Sequence, residues 1–127
     1  MKAERVLMAH GSGGLMSQQL IDEVFKEAWK NEYLEAMLDG ALIDLPAGRI
    51  AMSTDSFVIT PLFFPGGDIG KLSICGTVND LTACGAKPLY LSVALIIEEG
   101  LPMADLRKIA ASMAQTANKA GVKLVTG

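Results

Sequence analysis

The stretch that most constrains this chain is a predicted helix that follows Pro65-Gly66-Gly67 and contains Asn79 and Asp80. Asp68 stands at its start, where a carboxylate accepts hydrogen bonds from the free backbone N–H groups of the first turn. These groups and the helix dipole also favour an anion such as phosphate. About three turns further on, Asn79 and Asp80 interrupt an apolar run. A carboxylate in such a run is costly unless it is paired or bound to a metal.

Two familiar phosphate-binding motifs are absent from the chain. Gly70-Lys71 resembles the end of a P-loop, but Pro65 replaces its first glycine and Leu72 replaces the Ser or Thr that binds magnesium. The loop at residues 10–14, His-Gly-Ser-Gly-Gly, fails the dinucleotide fingerprint because Met16 stands where the third glycine should be. This loop is either a linker into the helix predicted at residues 16–30 or a loop whose N–H groups bind an anion.

Size and charge limit the classes of function. The chain has 127 residues, half of them hydrophobic, which predicts a single domain spanning residues 1–127 with a real core. Its net charge of −3 gives no electrostatic reason to bind nucleic acid or an acidic membrane. No apolar run approaches the ~18 residues that cross a bilayer.

Cysteine usage and the first residues indicate the compartment. Cys75 and Cys84 have a spacing that fits no zinc motif, and the chain has a single histidine. We interpret both as reduced core thiols. Residues 1–5 are not followed by the apolar region of a signal peptide. Together these features predict a cytoplasmic protein.

The remaining pattern alternates predicted strands and helices. Residues 6–9 suggest an edge strand, residues 41–45 and 49–54 a hairpin, residues 89–97 a buried strand and residues 122–125 a last strand. Apolar spacing between Leu106 and Ala117 predicts a helix that Gly121 ends. The chain then stops after Thr126-Gly127, and so abrupt an end suggests a fragment of a longer protein.

Asp55 ends the second predicted hairpin strand, between Thr54 and Ser56. Such a carboxylate either caps a turn through its own backbone or holds a hard cation at a sheet edge. Spacing alone does not choose between these two interpretations.

Five motifs occur in order along the chain: Ala9-His10-Gly11-Ser12-Gly13-Gly14, Ser53-Thr54-Asp55-Ser56-Phe57-Val58, residues 63–72, Cys75-Gly76-Thr77-Val78-Asn79-Asp80-Leu81, and Ile97-Glu98-Glu99-Gly100-Leu101-Pro102. Taken together, they resemble the amino-terminal domain of the HypE family of hydrogenase maturation proteins, the carbamoyl dehydratases, and the resemblance covers essentially the whole chain. The wider pattern is similar to the superfamily of AIR synthase, selenophosphate synthetase and thiamine-phosphate kinase.

The resemblance implies an α+β (mixed α/β) fold with about four main strands and helices on the outside. The strands would pair across a homodimer to form a barrel. It also implies binding of ATP and Mg²⁺, with Asp55 and Asp80 as magnesium ligands. Asn79 and the helix that begins at Asp68 would help to place the phosphates. Gly11, Ser12, Gly13 and Gly14 would fold over the nucleotide, since glycine lets backbone approach a ligand closely.

In that family the full-length enzyme uses ATP to dehydrate a carbamoyl group on a carboxy-terminal cysteine, giving the cyanide ligands of nickel–iron hydrogenase. Its partners are other maturation proteins, a carbamoyl donor and an iron-carrying scaffold. This chain lacks the family's carboxy-terminal domain and acceptor cysteine, so we assign no catalytic residue and expect the fragment alone to be inactive. Two alternatives are a domain of a related kinase or synthetase of the superfamily, and an isolated self-association module.

Overall fold

The computed structural model describes residues 3–127; Met1 and Lys2, which open the segment interpreted as lacking a signal peptide, lie outside the described residues. The helical elements are a 3₁₀ turn at Met8–Gly11, α1 at Leu15–Leu20, which continues into a π-helical segment at Ile21–Lys26, α2 at Glu32–Glu35, α3 at Ile69–Ala83 and α4 at Met103–Ala120. The strands are β1 at Phe63–Phe64, β2 at Gly67–Asp68, β3 at Tyr90–Ser92 and β4 at Lys123–Thr126.

The fold is a mixed helix and sheet domain, as predicted. β1 and β2 pair antiparallel around Pro65, with Phe63 opposite Asp68. β3 and β4 pair in parallel, with Tyr90 opposite Lys123, and α4 makes the crossover between them. Within the described residues these are two separate two-stranded sheets, and the single chain does not close a barrel.

The predicted ends of the two long helices are confirmed. Asp68 is the N-cap of α3, and its Oδ1 accepts a hydrogen bond from the backbone N–H of Lys71 at 2.9 Å. α4 ends at Gly121, which has a φ of 71°. That left-handed conformation favours glycine because it has no Cβ.

The core consists of two apolar clusters, both built on α4. In the first, α4 packs against α3 and the β3–β4 pair; its members are Ile74, Leu91, Ile109, Met113, Ala117, Val122 and Leu124. In the second, α4 packs against the amino-terminal helix; its members are Val6, Val24, Leu106 and Ala110. The Trp29 ring contacts both clusters, and its indole Nε1 donates a hydrogen bond to the carbonyl oxygen of Ala110 at 2.9 Å.

The predicted hairpin at residues 41–45 and 49–54 is wrong for the single chain. Neither segment forms a strand, and most of their apolar side chains are exposed. The apolar pattern indicates an extended chain, but a strand also needs a hydrogen-bonded neighbour. No such neighbour pairs with these segments in the part of the chain that the structure describes.

The buried strand predicted at residues 89–97 is only partly correct. The strand covers Tyr90–Ser92, where Leu91 is buried, whereas Ile96 is fully exposed. The pairing stops because Ser92 already lies opposite Thr126, the last residue of β4.

Two smaller predictions also need correction. Residues 6–9 do not form an edge strand: Val6 is buried and hydrogen-bonds the backbone of Gly100 and Leu101, and the chain then enters the 3₁₀ turn. Cys75 and Cys84 are free thiols, but neither lies in the core, since Cys75 is half-buried and Cys84 is exposed.

Candidate functional site

Asp80 lies in the last turn of α3, and its carboxylate is held from outside the helix. The Ser53 hydroxyl donates a hydrogen bond to Asp80 Oδ2 at 3.4 Å, across 27 residues of sequence. Asp80 and the neighbouring Asn79 are both exposed, so they face solvent rather than the core. Although Asn79 and Asp80 lie in an apolar run of sequence, α3 presents their amide and carboxylate groups to solvent.

Asp55 lies two residues beyond Ser53, in a segment without regular secondary structure. Its Oδ1 accepts a hydrogen bond from the backbone N–H of Ser56 at 2.8 Å, which is the local turn-capping contact expected for an aspartate in such a position. Its carboxylate is exposed, so it remains accessible to a ligand. The two interpretations of Asp55, a turn cap and a cation ligand, are compatible with each other.

A second contact joins the Asp55 segment to α3. The Phe57 ring lies directly on Gly76: a Cβ added there would stand 2.6 Å from Cζ and 2.8 Å from Cε1 of the ring. Carbon atoms cannot approach that closely, so the ring occupies space that any other residue at position 76 would fill. Residues on both sides of Asp55 thus contact the same helix.

Asp68 lies at the opposite end of α3 from Asp80. Twelve residues separate them, and at 1.5 Å per residue the axial distance is about 18 Å. Asp68 caps the first turn, and the Lys71 ammonium donates to the carbonyl oxygen of Gly66 at 2.9 Å. The segment that carries Asp55 therefore contacts the half of α3 that carries Asp80, whereas Asp68 lies at the other end of the helix.

The glycine-rich loop at residues 11–14 is exposed and is shaped by short local contacts. The Ser12 hydroxyl donates to the carbonyl oxygen of Ala9 at 2.8 Å, and the Gly13 N–H donates to Ser17 Oγ at 2.9 Å. Gly13 has a φ of +78°, which favours glycine. His10 Nδ1 accepts a hydrogen bond from the Leu7 N–H at 2.9 Å, so this ring nitrogen has a structural partner.

A cavity of about 670 Å³ opens beside this loop. It lies between the amino-terminal helix and the segment after β3, and its polar lining comes from both ends of the chain. Gly11 and Ser12 line it, but Asp55, Asn79 and Asp80 do not. Other lining residues are His10, Phe25, Lys26, Trp29, Val93, Leu95, Ile97, Glu99, Thr126 and Gly127.

The acidic pair suits a hard cation that brings most of its ligands with it. Carboxylate oxygens are ligands that Mg²⁺ prefers, and Mg²⁺ keeps several waters and phosphate oxygens rather than using an all-protein cage. Across residues 3–127, no group of three or more His, Cys, Asp or Glu side chains could hold a metal ion. The two exposed carboxylates have the chemistry that suits such an ion, and they do not form a complete protein site by themselves.

Sequence analysis did not identify Ser53 or Phe57 as residues of the site. Gly76 carried a signal, because glycine inside a helix is unfavourable and often marks a close approach of another group. The partner that approaches it is 19 residues earlier in the chain, so the pattern could not name it.

The chain belongs to the family described as AIR synthase related protein, N-terminal domain, whose model matches residues 37–127. Within that family it is similar to the carbamoyl dehydratase HypE of Azotobacter vinelandii, with 55% identity over 96% of this chain and 36% of the relative. It is also similar to HypE of Escherichia coli K12, with 54% identity over 96% of this chain and 38% of the relative. The chain thus spans little more than a third of the length of these curated relatives.

Solved structures show the same similarity. The crystal structure of the hydrogenase maturation protein HypE in complex with ATP matches with a TM-score of 0.92 and 50% identity, over 95% of this chain and 36% of that chain. The HypE–HypF complex matches with a TM-score of 0.62 and 60% identity, over 85% of this chain and 34% of that chain. The predicted family and fold are therefore confirmed. In the part of the chain that the structure describes, no helix is long and apolar enough to cross a membrane.

Proposed function

We propose that this domain binds Mg²⁺-ATP as the amino-terminal part of a carbamoyl dehydratase that acts in hydrogenase maturation. The observation that carries the proposal is the contact between Ser53 and Asp80, which joins the Asp55 segment to the end of α3. Two exposed carboxylates from separate elements can then approach one cation. The similarity to a HypE structure with bound ATP supports the same choice of ligand.

In this proposal Asp55 and Asp80 hold the magnesium ion and Asn79 contributes an amide beside the phosphates. Mg²⁺ would neutralise phosphate charge, and the two carboxylates would fix where that charge lies. Asp68 contributes indirectly, because its cap holds the first turn of α3 at the opposite end of the helix. No residue of this chain is assigned to a covalent step.

The loop at residues 11–14 would close over the nucleotide. Its exposed backbone, with a glycine at φ +78°, can present N–H groups to an anion without the obstruction of a Cβ. The cavity beside Gly11 and Ser12 is largely apolar and could accept the uncharged part of a ligand while the acidic pair faces its charged part.

For the full-length protein, we propose conversion of a protein thiocarbamate to a thiocyanate, the source of cyanide for nickel–iron hydrogenase. ATP would phosphorylate the carbamoyl oxygen and give ADP. Loss of that oxygen as phosphate, together with the two amide protons, would then give the thiocyanate on a cysteine that this chain does not supply. Partners would be other maturation proteins, in keeping with the solved HypE–HypF complex.

The test is calorimetric titration with Mg²⁺-ATP of a full-length protein that carries this domain. Asp80→Ala should weaken binding by about tenfold or more, because a metal ligand and its charge are removed. Asp39→Ala is the matched control, since it removes an exposed aspartate outside the site. Equal affinity of wild type and Asp80→Ala would contradict the metal assignment.

A second candidate function is self-association. The chain exposes Leu42, Ile50, Met52, Val58 and Ile96, which we call the apolar ribbon. Most of these residues lie in segments whose sequence predicts strands but which have no partner in the single chain. A homodimer that pairs these segments would bury the ribbon and supply the missing neighbours.

A further inference from the structure

Burial differs between neighbouring residues of the segment around Asp55. Met52 and Val58 are 88% and 97% exposed, whereas Ser53, Phe57 and Ile59 are half-buried. This alternation is that of an extended chain, in which residues two apart share a face. Ser53 and Phe57, the half-buried residues on either side of Asp55, both contact α3, whereas Asp55 itself is exposed.

The two positions on α3 that receive this segment also share a face. Gly76 and Asp80 are four residues apart, which places them one turn from each other on the same side of the helix. Ser53 meets Asp80 and Phe57 meets Gly76, so the segment runs antiparallel to the helix. Asp55 lies between these two contacts.

The Phe57–Gly76 contact depends on the absence of a side chain at position 76. A Cβ there would overlap the ring, with separations of 2.6 and 2.8 Å, so the ring and the segment behind it would have to move. The Ser53–Asp80 hydrogen bond lies on the amino-terminal side of Asp55. At 3.4 Å it is long, and it orients the exposed carboxylate of Asp80.

We propose that Ser53 and the Phe57–Gly76 contact are positioning elements that hold Asp55 beside Asp80 at the spacing a magnesium ion requires. Neither Ser53 nor Phe57 is assigned to touch the metal. The proposal rests on the proposed function, because it assumes that the two aspartates share a cation. It goes further by naming the residues that set their geometry.

The experiment measures ATP binding by the full-length protein across a Mg²⁺ titration, together with ATP binding in EDTA. Gly76→Ala should raise the Mg²⁺ concentration at half-saturation by about tenfold, since moving a residue that orients a metal ligand weakens metal binding by that much or more. Binding in EDTA should stay unchanged. Gly40→Ala is the matched control, because a Cβ at Gly40 meets nothing within 4 Å.

Three further variants keep the test informative if Gly76→Ala folds poorly. Adding Phe57→Leu to Gly76→Ala should return the half-saturating Mg²⁺ concentration most of the way to the wild-type value, because the smaller side chain leaves room for the new methyl group. Ser53→Ala should raise the half-saturating Mg²⁺ concentration by about threefold to tenfold, the range of a typical hydrogen bond, because the Ser53–Asp80 contact is long and exposed. Ser53→Thr, which keeps the hydroxyl, should resemble wild type.

The outcomes separate this inference from the proposed function. Loss of Mg²⁺ dependence in Asp80→Ala, with wild-type behaviour of Gly76→Ala and Ser53→Ala, would overturn the positioning role alone. An equal loss of binding with and without Mg²⁺ in the positioning variants would also overturn it, since that would indicate a merely structural role. Absence of any Mg²⁺ effect in wild type would overturn both proposals.

Discussion

At the scale of single residues, two glycines of α3 allow other groups to reach the helix backbone. Gly76 receives the Phe57 ring, as described above. Gly70 is buried where α3 crosses α4, and a Cβ there would lie 2.7 Å from the carbonyl oxygen of Ile109 and 3.0 Å from Met113 Cγ. Small residues let helices pack closely, so Gly70 sets the distance between α3 and α4.

We expect Gly70→Ala to destabilise the domain by about 1–3 kcal/mol, because an added methyl group overpacks a rigid contact. The clash is with a backbone oxygen, which cannot rotate away as a side chain can. Urea denaturation of wild type and variant measures the difference, and Gly40→Ala serves again as the control. A Gly70→Ala variant at least as stable as wild type would show that α3 and α4 can separate at little cost.

At the scale of elements, hydrogen bonds and an ion pair hold the short helix α2 against β3 and β4. The Asn31 side chain caps α2 and also donates to the carbonyl oxygen of Leu124 at 2.8 Å. The Tyr33 hydroxyl donates to the Tyr90 hydroxyl at 3.3 Å, and Lys123 forms an ion pair with Glu32. That ion pair lowers the pKa of the Glu32 carboxyl. A helix of one turn has little stability alone, so these contacts hold it.

The hydrogen bond to Tyr90 raises the pKa of Tyr33 from an ordinary 10.0 to about 12. The pKa of Tyr33 is therefore higher in the folded chain than in the unfolded chain. The hydrogen bond to Tyr90 stabilises the fold fully below the unfolded pKa of Tyr33, and this stabilisation is lost as the pH rises through about 12. In a pH titration followed by the ultraviolet absorbance of tyrosinate, one of the two tyrosines should therefore ionise only near pH 12.

Tyr90→Phe should move that late titration back towards the ordinary value, since the hydroxyl partner is removed. The unfolded chain in urea is the control, because there the two hydroxyls are apart and should titrate together. Two tyrosines that ionise near pH 10 in the folded wild type would contradict the predicted Tyr33 pKa.

At the scale of the whole molecule, several large apolar side chains are left exposed. Leu42 is 81% exposed and Ile50 is 67% exposed, and both lie in the segments whose sequence predicts a hairpin. Extended segments with free N–H and C=O groups readily pair with another chain. This combination favours assembly over a monomer.

We expect sedimentation at increasing concentrations to show a shift from monomer to dimer. Replacing Leu42 and Ile50 together by Asp should keep the chain monomeric, because the charges would be buried in the interface. Leu15→Asp is the matched control: it changes another exposed leucine, outside the apolar ribbon. A wild type that remains monomeric throughout the range would contradict the shared sheet.

Features that depend on neighbouring residues were predictable from the chain alone. Asp68 was identified as a cap and Gly121 as a helix end, because both roles follow from backbone geometry within one turn. α4 and β4 were recognised because their apolar periodicity spans a complete element. The motifs also identified the family, which the comparisons confirmed.

Features that depend on distant partners required the folded coordinates. The spacing of residues 41–54 predicted strands, but pairing needs a neighbour that no local pattern provides, and the single chain has none there. Sequence likewise proposed Asp55 and Asp80 as a pair without a way to bring them together. The contacts of Ser53 with Asp80 and of Phe57 with Gly76 attach the Asp55 segment to α3, because packing joins residues that are 27 and 19 positions apart.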